Sequence, residues 1–180
     1  MEASQSLLEL VTAAQSNAKA SENRIINILN LMREQKISDA HVEELHKATL
    51  ALELIAVDTF SLFEARMQHH FRRGPFSRKL KSLLLESKKT NLANRVHQYY
   101  LAINVLKHGK GASYRELSND PSSLFLVKSA ENINHHDDNA TSGLIDVTIP
   151  DFFNGLATTI LEAYHFLEKN KKSMLKPISK

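Results

Sequence analysis

A chain of 180 residues with 42% hydrophobic and 24% charged side chains has the composition of one folded domain, able to bury roughly 70% of the surface its unfolded form exposes. It has no cysteine, which excludes disulfides, thiolate metal sites and cysteine nucleophiles. The net charge is only +3, residues 1–5 carry no basic leader and no apolar run reaches membrane-spanning length, so a cytoplasmic protein that avoids the membrane is expected.

Leu7, Leu8, Val11, Ala14, Ala18, Ile25, Ile28, Leu29 and Met32 recur at helical spacing and predict a first helix over about residues 6–34. Asn17 and the Ser21-Glu22-Asn23 run weaken its middle and mark a point of bending. Ser38 with Asp39 reads as the cap of a second helix carrying Leu45, Leu52, Ile55, Val57, Phe60, Leu62 and Phe63 to about Phe71, before Gly74-Pro75 stops it. The short Gln35-Lys36-Ile37 connection folds these two segments into a long antiparallel hairpin.

A short third helix after Pro75 buries Phe76, Leu80, Leu83 and Leu84 and displays its basic side chains. Thr90 or Asn91 then caps a fourth, which carries Leu92, Val96, Tyr99, Tyr100, Ile103 and Leu106 and closes at His108 with Gly109 as its C-cap. Ser113-Tyr114-Arg115-Glu116 has the spacing of a capping box and predicts a further turn or two of helix.

Residues 124–128 and 143–149 are β-type runs, read as a two-stranded hairpin inserted over about residues 122–149 with a long polar tip. Pro150 opens the last helix through Phe153, Leu156, Ile160, Leu161, Tyr164 and Leu167, and the basic tail over residues 170–180 is expected to fray. The expected fold is therefore mainly α, a bundle of about five helices in a single domain with a small β-hairpin before the last helix. Such a ribbon is marginal alone and must pack on the bundle or on another subunit.

On the fourth helix, His97, Asn104 and His108 share one face, with Lys107 beside them and a flexible Gly109-Lys110-Gly111 turn following. A mobile ammonium, an amide and exposed glycine N–H groups suit a phosphate, and a histidine there can move a proton near neutral pH. The same residues also have a purely structural reading, since lysine and histidine complement a helix C-terminus and glycine ends it.

A helix closing in Asn104-x-x-Lys107-His108-Gly109, within a helical bundle that begins with a long hairpin, resembles the HEPN superfamily. The resemblance implies an all-helical fold, commonly dimeric, that binds RNA or nucleotides. Many members are metal-independent ribonucleases of defence, stress or RNA-processing systems. Their signature sets an arginine a short distance before a histidine; His108 matches the histidine and Asn104 the accompanying polar residue. The arginine positions fall on Leu101, Ala102 and Ile103, so the resemblance implies a binding or degenerate member.

Two further groups stand out. Glu64, Arg66, His69 and His70, joined by His97 or by His135, His136, Asp137 and Asp138, contain metal-ligating residue types. Adjacent histidines on an α-helix point about 100° apart, so only one of His69 and His70 fits a common centre, and no metal or cofactor is assigned. The second group is the cation-rich stretch of Arg72, Arg73, Arg78, Lys79, Lys81, Lys88 and Lys89 against the single acid Glu86. It is a candidate polyphosphate surface, with a solvated charged face as its plain alternative.

No phosphate-binding P-loop, dinucleotide glycine fingerprint or serine nucleophile elbow occurs. The leading expectation is an RNA- or nucleotide-binding, HEPN-like protein with His108, Lys107 and Asn104 at its site. Arg66, His70, His97 and Arg115 are expected to support that site, and Arg72, Arg73 and Lys79 to contact substrate. If cleavage is retained, His108 is the acid or base and Lys107 or Arg115 stabilises the developing charge. The alternative is a non-catalytic homodimer whose hairpin docks a protein partner.

Overall fold

The computed structural model describes residues 6–34, 37–128 and 143–174, with side chains to residue 170. Among them are six α-helices: α1 (Leu7–Glu34), α2 (Asp39–Met67), α3 (Phe76–Glu86), α4 (Thr90–His108), α5 (Ala112–Ser118) and α6 (Phe152–Met174). The protein is mainly helical, and one contiguous apolar cluster draws on every helix. No helix among the described residues is long and apolar enough to cross a membrane.

Local chemistry accounts for the helix starts. Ser6 and Glu9 form a reciprocal capping box: the Glu9 amide donates to Ser6 Oγ at 3.2 Å and the Ser6 amide donates to the Glu9 carboxylate at 2.7 Å. The Ser6 amide and, at 3.0 Å, the Ser6 hydroxyl both donate to that carboxylate and hold it below its ordinary range. Ser38 caps α2 as its sequence predicts, its hydroxyl accepting from the His41 amide at 3.3 Å. Arg24 of α1 reaches Glu44 of α2 at 2.6 Å across the hairpin.

Helix α4 is the hub. Its Val96, Tyr99, Leu101, Ala102, Ile103 and Val105 are all buried, leaving only a narrow polar stripe toward solvent. Phe76 joins α2 to α3 by edge-on contact with Phe63 at 5.2 Å, and Tyr99, Phe125 and Phe152 stack α4 against the start of α6. Buried Gln98 pins the chain after α5: its carbonyl accepts from the Leu124 amide at 2.7 Å, and its amide donates to Asp120 at 3.0 Å and to the Ser122 carbonyl at 3.2 Å. Gln98 is itself buried, so without these partners its own amide would be left desolvated and unpaired.

Besides the start of α4, where Lys89 and not Thr90 or Asn91 is the N-cap, three expectations change. The second helix stops at Met67 rather than near Phe71, and Gln68–His70 continues as a single 3-10 turn. The Ser113 capping box does not form; α5 starts at Ala112 after uncapped Gly111, and Ser113 instead accepts from Asn104 at 3.4 Å.

The third change concerns the β-hairpin. The described parts of its two runs meet antiparallel, through the Lys128 amide to the Leu144 carbonyl and the Asp146 amide to the Leu126 carbonyl, yet only Val127 and Ile145 pair and no strand forms among the described residues. Side-chain turns cut both runs short. Asp146 accepts from the Thr148 amide at 3.0 Å and Ser123 accepts from the Phe125 amide at 3.2 Å, so each backbone bends where a ladder would continue. The hairpin tip with His135, His136, Asp137 and Asp138, and the end of the basic tail, lie outside the described residues.

Candidate functional site

The C-terminal end of α4 is built as its glycines demand. Gly109 takes φ 70°, and its amide donates to the Val105 carbonyl at 2.8 Å, ending the helix at His108. Asn104 lines a cleft of about 450 Å³ together with Glu64, Gln68, Phe76, Ser77 and Tyr100, where α2, α3 and α4 converge. Burial pushes the Glu64 carboxyl up, opposed by the nearby Lys107 ammonium. Lys107, Asn104 and Glu64 thus share a neighbourhood that holds an acid and a cation together. His108 is exposed at the helix end and does not line that cleft.

The other residues marked by sequence are dispersed. His97 is held by Glu116 of α5 at 2.7 Å, and Arg115 lies exposed on α5. Arg66 is half-buried at the end of α2, its carbonyl 2.7 Å from His69 Nδ1. The His70 side chain is 2% exposed and reaches Glu168 of α6 at 3.3 Å. Arg72 and Arg73 are exposed, and Lys79 lays its aliphatic stem over Gly74, which needs its positive φ of 94°.

A larger feature lies at the opposite end of α4. Lys88, Lys89, Arg95, His165 and Lys169 line an open groove of about 780 Å³ with Ser87, Thr90, Asn91, Glu162 and Asn170 among its walls. Arg95 and Lys107 are twelve residues apart on one helix, about 18 Å along its axis, so the groove and the Asn104 cleft are separate sites. Arg95 pairs with Glu162 at 2.5 Å. Among the described residues of the groove wall, no second acid faces the lysines.

The groove owes its shape to the turn between α3 and α4. The Lys89 amide donates to the Leu84 carbonyl at 2.8 Å and the Lys88 amide to the Leu85 carbonyl at 2.9 Å, the two bonds of a Schellman closure. Lys88 occupies its left-handed position at φ 59°, where glycine is the usual residue. α4 then starts at once, without a side-chain cap on Lys89, and its first intrahelical bond is from Ala93 to Lys89. The amides of Thr90, Asn91 and Leu92 precede that bond, so the positive end of the helix dipole lies at the groove wall.

Sequence reasoning placed Lys88 and Lys89 in a basic stretch but did not join them to Arg95, His165 and Lys169. The available signal was the spacing of Glu162, His165 and Lys169, which sets three polar side chains on one face of the last helix. Comparison with family models, curated proteins and solved structures finds no match to this chain.

Proposed function

We propose that this protein binds RNA or a nucleotide, with the groove between the α3–α4 turn and α6 receiving phosphate. The observation that carries this reading is the convergence of Lys88, Lys89, Arg95 and Lys169 on one open groove beside an uncapped helix N-terminus. Cations release counterions from a polyphosphate, and backbone amides add directed donors. Lys88 adds weight because it keeps a long cationic side chain where the backbone favours glycine.

The HEPN resemblance supports the same ligand class from the other end of α4. There Asn104 lines the cleft beside Glu64, Lys107 stands near that acid, and His108 is exposed at the helix end. Without the family's arginine, binding is the role these residues support best; a degenerate ribonuclease would use His108 as the proton carrier and Lys107 for charge.

The test is fluorescence anisotropy with a labelled single-stranded RNA and, separately, a nucleoside triphosphate across a salt series. Lys89→Ala and Lys169→Ala should each weaken RNA binding and flatten the slope of log K against log salt by roughly 0.7 for every phosphate no longer neutralised. Glu162→Gln, which frees Arg95, should strengthen it. Absence of binding at low salt, or identical salt slopes for both lysine variants and the unmodified protein, would overturn the groove assignment. His108→Ala distinguishes the two ends of α4, because it should leave the groove's salt slope intact.

One observation favours the alternative, a homodimeric interaction protein. Ile26, Leu29, Val42, Leu50 and Leu54 are exposed along α1 and α2, an apolar display suited to helix pairing. A mass by light scattering that stays monomeric at high concentration would remove that reading.

A further inference from the structure

We infer that His69, His70 and Glu168 bind one divalent transition-metal ion of the zinc class, joining the end of α2 to α6. One ligand atom from each of the three residues lies within 4.8 Å of the others. Two imidazoles and a carboxylate are a donor set suited to zinc and its borderline neighbours. The three residues lie outside both the groove and the Asn104 cleft, so an ion site here stands or falls independently of phosphate binding.

The end of α2 makes the site possible. On a continuous α-helix adjacent histidines diverge, but α2 stops at Met67 and the chain turns through Gln68–His70 before Phe71 becomes extended at φ −122°. The two rings then lie with centroids 4.2 Å apart and planes 35° from parallel. The sequence expectation that only one of them fits a common centre therefore does not hold. His70 Nε2 stands 3.3 Å from Glu168 Oε1, which matches the roughly 3.3 Å between two ligand atoms on a tetrahedral ion with bonds of about 2.0–2.1 Å.

The hydrogen bond on the far side of His69 fits the same role. Its Nδ1 is 2.7 Å from the Arg66 carbonyl, which can only accept, so Nδ1 donates there and the neutral form of the ring has its lone pair on Nε2. A ligating histidine held through its other nitrogen by a backbone carbonyl is the usual outer-shell arrangement of protein metal sites. His70 is buried and already in place, and His69 is exposed, which gives an ion a route from solvent. Zinc bound here would stabilise the fold by mass action, because the three ligand atoms come together only in the folded chain.

The experiment uses the tag-free, metal-stripped 180-residue chain, titrated with zinc by calorimetry and with cobalt by visible absorption, alongside Tm with and without zinc. The expected result is one equivalent bound, a tetrahedral cobalt spectrum and a rise in Tm. His69→Ala and Glu168→Gln should each weaken zinc roughly tenfold or more and abolish the Tm rise. These two variants avoid the buried His70 ring, so a folding defect does not decide the outcome. No stoichiometric zinc, unchanged affinity in both variants, or loss of zinc only on substituting His135 and His136 overturns the site.

Discussion

The Tyr99 hydroxyl donates to the Phe152 carbonyl at 3.0 Å and in doing so fills the space that a side chain at Gly155 would need. A Cβ at position 155 would overlap that hydroxyl, and Tyr99 is too deeply buried to move aside. Alanine usually improves a helix interior by about 1 kcal/mol over glycine. Here Gly155→Ala should instead cost about 1–3 kcal/mol through overpacking. Tyr99→Phe alone should cost about 1 kcal/mol for the missing hydrogen bond. The double variant should be more stable than the sum of the two losses allows, since phenylalanine removes the colliding oxygen. Urea unfolding of the four proteins decides it, and strict additivity would refute the contact.

Tyr99 also predicts an alkaline weakness. Burial pushes its phenol up to about 12 from an ordinary value of 10, with Arg95 opposing and Asp151 adding to the shift. A phenol whose folded value is raised favours the protonated form in the fold, so its contribution is complete below pH 10 and is lost as pH rises toward 12. Stability curves of the unmodified protein and Tyr99→Phe should therefore converge across that window. The phenolate absorbance that is lost in Tyr99→Phe should rise near pH 12, and its rise near pH 10 would contradict the buried environment.

Helix positions were legible because apolar periodicity and caps act locally: Ser38 caps α2, and Gly109 ends α4 in sequence as in space. The extended runs around Val127 and Ile145 were legible as β-type, but their extent was not. Aspartate and serine bonds to nearby amides compete with the ladder, and propensity does not rank the two. The His69 and His70 geometry was hidden for a related reason. It depends on α2 stopping at Met67, although nothing at that position breaks a helix by composition.

The candidate sites divide along the same line. Asn104, Lys107 and His108 were legible as a candidate because a helix end concentrates them within a few residues. The basic groove was only half visible, since Lys88 and Lys89 are neighbours in sequence whereas His165 and Lys169 reach them only through packing of α6 on α4. Spacing reveals residues on one element. It does not reveal which elements meet.

Glu64 and Lys107 offer a measurement of the Asn104 cleft that needs no ligand. Burial raises the Glu64 carboxyl and Lys107 pulls it back, so Lys107→Met should raise it further. A carboxyl whose folded value is raised contributes stability below its unfolded value near 4.5, and that contribution is lost as pH rises through the folded value. The variant should move that loss to higher pH. Carbon-detected NMR of the Glu64 carboxyl gives the shift directly, and an unchanged titration would mean that Lys107 does not face the cleft.

Lys88 provides a test in which stability and binding should move in opposite directions. At φ 59° a non-glycine residue costs about 1 kcal/mol, and the Schellman bonds from Lys88 and Lys89 hold the backbone there regardless of side chain. Lys88→Gly should therefore stabilise the protein by up to about 1 kcal/mol, part of the relief being offset by the greater freedom of glycine in the unfolded chain. If the ammonium serves the groove, the same variant should bind RNA more weakly and with a shallower salt slope. Lys88→Asn separates the two effects, because asparagine tolerates the left-handed conformation while removing the charge. Both variants should lose binding to a similar degree although they differ in stability. Binding that follows stability instead of charge would place the phosphate contacts elsewhere.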